Sequence, residues 1–422
     1  MMDFLFKING LDKLVNLGLR GLSLLSKLFL VIYITKLFVP ADVGQYILFS
    51  SFIIYLVGFI GFEFHTYSSR QLIRGNDKDY VVISNLLLFY VSSFVVCVPL
   101  SIAAYYFSGL SLKYIFIFLI VLLLEGATLE IFRILVVMLK NISASLLLFF
   151  KTALWIVFFS GLTYINDDFA YFEYLLYLWV LGLLLSLIYG LFSLSKLFDF
   201  SKVNILKYGK YSWIKTGMKT SIFMFISAQA VLVVFVLDKW MVSNFDSIEL
   251  LAVYGLFFGI SSGIYSFLEA SVIVYFYPKL MRSFPGEEFN GLKTSFLKQV
   301  FYVGSLLVVF SSVIIFLVLD WIDKEHYRGL LPVFFILAFA NFFKSMAAVY
   351  HYVLYSASLD GKNVISNVLS MCVFIFYCLI SLSLGVSAIY SASLGVLTFF
   401  ISQLVFKFSF WKVSGCLSEK SV

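Results

Sequence analysis

The feature that most constrains this chain is a train of apolar stretches, each about 20 residues long, joined by short polar connections. A helix rises 1.5 Å per residue, so about 20 mostly apolar residues are needed to cross the hydrocarbon of a bilayer. Twelve stretches meet that criterion: 14–37, 44–62, 81–106, 114–138, 143–165, 171–195, 217–237, 250–277, 299–319, 330–355, 364–384 and 387–408. The last two are the hardest to separate, since only Gly385 and Ser387 mark a turn between them. Hydrophobic residues fill 62% of the 422 positions and charged residues 13%, about half the usual share in soluble domains. A soluble core of this size cannot hide that much apolar surface, so lipid must solvate much of it. The expected fold is an all-α polytopic membrane protein of about twelve transmembrane helices.

The connections set an orientation. Lys and Arg number thirty. With the N-terminus inside, Lys36, Lys113, Lys239, Lys324 and Arg328 fall outside. Arg20, Lys27, Arg133, Lys151 and Lys344 fall within helices. The other twenty are cytoplasmic, among them Arg70, Arg74 and Lys78, then Lys196, Lys202, Lys207, Lys210 and Lys215, then Lys279, Arg282, Lys293 and Lys298. Such a bias over short loops follows the positive-inside rule and places both termini in the cytoplasm. The expected location is a bacterial inner membrane. The surplus of basic residues (net charge +7) is therefore explained by topology, and nucleic acid is not expected as a partner.

Soluble chemistry finds little support. The longest connections, 196–216 and 279–298, are too short for a soluble domain, and no Walker A sequence occurs. ATP bound to this chain does not power transport on this reading. Cys97, Cys372, Cys378 and Cys416 show no metal-binding spacing, so neither zinc nor a disulfide is expected. The first apolar stretch is long, carries charges and lacks a small-residue cleavage site, unlike a removable signal peptide. No cofactor is expected; proton or sodium coupling stays open.

One internal repeat is visible. Ala41-Asp42-Val43-Gly44-Gln45-Tyr46 opens the second segment, and Glu249-Leu250-Leu251-Ala252-Val253-Tyr254 opens the eighth. Both run aliphatic, small, any residue, Tyr, with an acidic residue nearby, and the two tyrosines lie 208 residues apart. Six helices between the copies keep them in the same orientation, a parallel repeat. The expected division is an N-terminal six-helix bundle over 1–200 and a C-terminal one over 201–422, around a central cavity.

At these residues the chain resembles the multidrug/oligosaccharidyl-lipid/polysaccharide (MOP) exporter superfamily, and within it the Wzx-type flippases of O-antigen and related repeat units. Pro40 to Tyr46 is similar to the family's opening of helix 2. Gly58-Phe59-Ile60-Gly61-Phe62 with Ser69-Arg70 is similar to its helix 2 exit, and Asp238-Lys239-Trp240-Met241-Val242 to its helix 7 exit. The length and the twelve-helix layout agree over the whole chain. The lipid II flippases of the superfamily usually carry two more helices, which this chain lacks. The resemblance implies a transporter of lipid-linked glycan, working in polysaccharide biosynthesis beside other polysaccharide assembly proteins.

Charged residues at bilayer depth face protein or water, and functional use is the default expectation. On the first segment Asn16, Arg20, Ser23 and Lys27 share an arc of about 60°. On the tenth, Asn341, Lys344, Ala348 and His351 share about 80°, as do Gly255, Gly259, Ser262, Ser266 and Glu269 on the eighth. Glu125 lies near mid-depth of the fourth segment without a helical partner, while Glu130 and Arg133 are spaced to pair. Arg20, Lys27, Lys151 and Lys344 are the expected substrate-binding cations. Glu125, Glu269 and His351 are the candidates for ion coupling. Five cations against three carboxylates suit an anionic passenger such as undecaprenyl diphosphate.

The leading expectation is a flippase that moves undecaprenyl-diphosphate-linked oligosaccharide to the outer leaflet by alternating access. The alternative is a MATE-like cation-coupled drug antiporter, for which a carboxylate-dominated cavity is expected. A polysaccharide polymerase or membrane glycosyltransferase is a third reading. The outer loops at 238–249 and 320–329 are small for a sugar site, and Asp320, Asp323, Glu325, His326 and Arg328 read as a solvated turn. No enzymatic activity is expected.

Overall fold

A computed structural model describes residues 10–74 and 78–418 of the chain. Among the described residues there is no strand, and twelve helices are long and apolar enough to cross a membrane. They are α1 (Val15–Leu37), α2 (Pro40–Gly61), α3 (Asp79–Phe107), α4 (Leu112–Val137), α5 (Asn141–Ile165), α6 (Phe172–Ser195), α7 (Tyr211–Asp246), α8 (Ile248–Ser283), α9 (Glu288–Ile322), α10 (Leu331–Ser356), α11 (Asp360–Ser383) and α12 (Ala388–Val413). The chain is a multi-pass membrane protein with the expected all-α architecture.

The helices outrun the apolar stretches in places. α7 and α8 each run 36 residues and α9 runs 35. At 1.5 Å per residue, 36 residues span about 54 Å, well beyond a hydrocarbon core of about 30 Å. Hydropathy sees only the part that lipid requires to be apolar; the polar ends stay helical outside it. The connections 196–216 and 279–298 shrink accordingly, because Tyr211 already belongs to α7 and Glu288 to α9. The turn between α11 and α12 falls at Gly385, whose φ of +78° favours glycine. Asp246, at the end of α7, accepts hydrogen bonds from the Ala388 and Ile389 amides (3.0 and 2.7 Å), so a carboxylate caps the positive end of α12.

The chain forms two compact units. One comprises Met1–Phe38 and Phe52–Phe225; its core gathers Phe64, Phe89, Ile131, Leu135 and Leu147. The other comprises Val39–Ser51 and Ile226–Val422, with Phe257, Phe334, Phe374 and Phe399 fully buried. Large apolar side chains such as Phe116, Leu306 and Phe376 are exposed, as suits surfaces solvated by lipid.

The two copies of the repeat touch each other within the second unit. A Cβ placed on Gly44 would lie 2.0 Å from the Ile248 carbonyl oxygen, and one on Gly255 would lie 2.0 Å from Ile47 Cδ1. Ile47 and Gly255 are themselves 208 residues apart, so equivalent positions of the repeat meet. The small residue of the motif is thus required by close backbone approach. Gly44→Ala is expected to lower the yield of folded protein, as an overpacking change worth about 1–3 kcal/mol or more. Gly263→Ala, with nothing within 4 Å, is expected to leave yield unchanged. Size-exclusion profiles of fluorescent fusions measure both, and equal yields would refute the packing argument.

Candidate functional site

In the first unit the polar face of α1 divides in two. Its lower half is tied down: Arg20 Nε donates to Ser145 Oγ (3.1 Å), Ser145 Oγ donates to Asn16 Oδ1, and Ser23 is buried and bonds the Leu19 carbonyl (2.8 Å). Arg20 therefore has a partner on α5. Lys27, two turns further on, is exposed and among the described residues has no hydrogen-bond or ion-pair contact. The charges that act on it are Glu125 and Lys151.

Glu125 departs from the sequence expectation. It has no partner on its own helix, but Lys151 of α5 reaches it: Lys151 Nζ lies 2.5 Å from Glu125 Oε2 and also donates to the Glu125 carbonyl (3.2 Å). Trp179 Nε1 of α6 donates to Glu125 Oε1 (3.1 Å). Lys151, one of the expected free cations, is thereby neutralised. Its position follows from local structure, since Phe150–Leu154 forms a π turn within α5 that re-aims the side chain.

Glu130 and Arg133 form the expected ion pair (2.5 Å), and the structure adds two groups from the α2 exit. Glu63 Oε1 lies 3.8 Å from Arg133, and His65 Nδ1 lies 3.5 Å from Glu63. Phe62 and Glu63 adopt left-handed backbone (φ 48° and 50°), which bends the chain back toward Arg133. Burial raises the Glu63 carboxyl above its usual range, more than Arg133 lowers it. Burial, then Arg133, pushes His65 down to about 4, so its ring is neutral at physiological pH. A raised carboxyl favours the folded state at low pH, and that contribution is lost as pH rises through the folded value. Glu63→Gln is expected to flatten the melting profile of purified protein as pH rises above 4.5, the ordinary carboxyl value. An unchanged profile would contradict the burial argument.

In the second unit Lys344 sits among aromatic rings. Its ammonium lies 4.1 Å from the Tyr265 ring centre, 5.3 Å from Phe235 and 5.7 Å from Phe400. Cation–π attraction holds it without neutralising it. Glu269 acts on it at longer range; neither group has an ion-pair contact among the described residues. Glu269 is exposed and begins a second π turn, Glu269–Ile273. Asn341, on the Lys344 face, is buried and donates to Ser261 Oγ (3.2 Å). His351 is half-buried, its carbonyl accepting from Asn363 Nδ2 (3.2 Å).

Two cations counted with the connections lie within helices. Lys239, assigned to an outer loop, lies inside α7, buried, 3.2 Å from Asp238. Tyr254, the repeat tyrosine, donates to the other oxygen of Asp238 (2.7 Å). Lys407, counted as cytoplasmic, is buried in α12 at 4% exposure; α12 continues past it to Val413. The signal that finds it is the polar spacing of Gln403 and Lys407, one turn apart on an otherwise apolar helix.

No protein-family model matches the chain, and no curated protein matches it. Solved structures do. An inward-facing multidrug resistance MATE family transporter of the MOP superfamily superposes with a TM-score of 0.62 at 13% identity, covering 97% of this chain and 99% of that one. A Vibrio cholerae MATE transporter gives 0.55 at 10% identity, covering 97% and 98%. A MOP superfamily transporter from Pyrococcus furiosus, described as having a binding pocket of reverse polarity, gives 0.53 at 13% identity, covering 94% and 92%. Twelve helices in the same order and arrangement over nearly the whole length give this chain the fold of the MATE transporters of the MOP superfamily.

Proposed function

We propose that the protein is an ion-coupled secondary transporter working by alternating access, an antiporter of the MATE kind whose passenger is anionic. The fold supports the antiporter reading. One observation carries the polarity. Among the described residues Lys27 and Lys344 have no ion-pair partner, whereas of the candidate coupling carboxylates Glu125 is paired with Lys151 and Glu269 has no ion-pair contact. A site for cationic drugs needs the opposite balance. The Pyrococcus furiosus transporter, with its reverse polarity, is a precedent for such a change on this fold. Coupling by protons or sodium falls to Glu269, the free carboxylate nearest a free cation.

A second reading is the Wzx-type flippase, and the same free cations favour it. Lys27 and Lys344 suit the oxygens of undecaprenyl diphosphate through charge-assisted hydrogen bonds. Other polysaccharide assembly proteins are partners only on this reading. Deletion of the gene separates the two. Lipid-linked glycan accumulating on the cytoplasmic leaflet identifies the flippase. Unchanged glycan with retention of anionic amphiphiles in the cell identifies the antiporter. Retention of cationic drugs alone refutes the anionic passenger.

The proposed location is a bacterial inner membrane with both termini cytoplasmic, from the distribution of Lys and Arg. Single cysteines at Leu206 and Asn290, both exposed, are expected to resist an impermeant thiol reagent added outside intact cells. Labelling of either would invert the topology.

A further inference from the structure

Lys407 has no role in the proposed transport path, yet it is a buried charge of the second unit. It is buried, and among the described residues no carboxylate pairs with it. Its one hydrogen bond runs to Gln403 Oε1, at 3.4 Å. From there a polar chain crosses the unit. Gln403 Nε2 donates to Asn367 Oδ1 (2.9 Å), and Asn367 Nδ2 donates to Ser227 Oγ of α7 (2.8 Å). The chain fixes both amides, so neither can turn to serve Lys407 further. Ser366, Asn367 and Ser370 share one face of α11, within about 100°. The hydroxyls of Ser366 and Ser370 are fully buried and have no hydrogen-bond partner. Asn363 Oδ1 is also unpartnered, but it is an acceptor. Asp360, the carboxylate at the start of α11, is not among the charges that act on Lys407; the titratable groups that bear on this end of α12 are His351, which feels the Lys407 charge, and Tyr350, whose ring packs on Phe408 beside it. Neither supplies a negative charge.

Buried polar groups in native proteins are satisfied, and a buried charge is retained only where something compensates it. Here one unpaired ammonium and, on the helix that its hydrogen-bond chain reaches, two unsatisfied hydroxyls are all able to donate. We propose that the seam between α11 and α12 is a binding site for a small monovalent anion, of halide size, with Lys407 as its fixed charge and the Ser366 and Ser370 hydroxyls as donors. A single negative charge matches the single positive one. A halide also sheds its water more readily than a multiply charged phosphate, which suits groups this deeply enclosed. The site is separate from Lys27 and Lys344, and it does not depend on the identity of the passenger.

The test is the melting midpoint of the purified full-length protein, titrated with sodium bromide or chloride against sodium gluconate at constant ionic strength, with sodium phosphate as a size control. Bromide and chloride are expected to raise the midpoint saturably, by ligand linkage, and phosphate is not. Lys407→Met is expected to weaken the halide response at least tenfold. Gln403→Glu, which puts a carboxylate at the position of the Lys407 partner atom, is expected to abolish the response while melting above wild type in gluconate. That second variant keeps the test sharp should Lys407→Met fold poorly. Identical wild-type midpoints in bromide and gluconate would overturn the proposal, as would an undiminished halide response in Gln403→Glu. A response to phosphate equal to that to bromide would overturn the size assignment.

Discussion

Transport falls in the order wild type, Lys344→Arg, Lys344→Ala, Lys344→Glu, with Lys344→Glu lowest at matched expression. Lys344 is the free cation of the second unit with the best-defined surroundings, held by Tyr265, Phe235 and Phe400 and faced by Glu269. A hydrogen bond to a charged group is worth about 1.5–3 kcal/mol, so removing it costs roughly 10- to 100-fold in transport of an anion. Arginine keeps the charge and stacks on the same rings, but its planar guanidinium presents its donors differently. Glutamate places like charge against both the passenger and Glu269. Insertion of Lys344→Ala does not suffer, because removing a charge from a membrane helix makes insertion easier, and the two charged variants are compared at matched expression. The same order is expected at Lys27, the free cation of the first unit. Full activity in both Lys27→Glu and Lys344→Glu would mean that these side chains only pack.

The Lys151–Glu125 pair is expected to show the opposite signature, a loss of stability that the double variant repairs. Both side chains are largely buried, with relative exposures of 10% and 16%. Lys151→Met leaves the Glu125 carboxylate with Trp179 as its side-chain donor, no ion pair in contact and only Lys27 acting at longer range, at a cost of up to about 3–5 kcal/mol. Lys151→Met with Glu125→Gln removes both charges and is expected to recover most of that loss, since replacing a buried ion pair outright is often neutral. Thermal unfolding of the three purified variants measures this. A double variant as unstable as the single one would mean that Lys151 stabilises by packing rather than by pairing.

The fold was legible because lipid imposes it residue by residue. Every spanning segment must be apolar for about 20 residues and must satisfy its own backbone, so hydropathy alone counted the helices. The turn at Gly385 and the motif glycine at Gly44 were legible for a similar reason, since each answers a local backbone demand. Helix ends were not. Outside the hydrocarbon nothing forces polarity to coincide with the end of a helix, and so Tyr211 and Glu288 were read as loop. Lys407 lies inside the twelfth apolar stretch, 387–408, and what hid it was its count among the cytoplasmic cations.

Partnership was the other illegible property. Spacing along one helix found Glu130 with Arg133, which are three residues apart. It could not find Lys151 for Glu125, or Ser145 for Arg20, because those contacts join different helices, whose relative rotation spacing along one helix does not give. The candidate cations therefore sort only in three dimensions. Arg20 is tied to Ser145 and Lys151 to Glu125, while Lys27 and Lys344 have no ion-pair contact among the described residues.

The central claim is that these free lysines select an anion, and proteoliposomes holding the purified protein under an imposed proton or sodium gradient test it most directly. Uptake of a fluorescent polyprenyl diphosphate and of ethidium is measured side by side, in wild type and in Lys344→Glu. Wild type is expected to move the anion and not ethidium, and Lys344→Glu to lose the anion. Ethidium uptake by wild type with no movement of the anion would contradict the account.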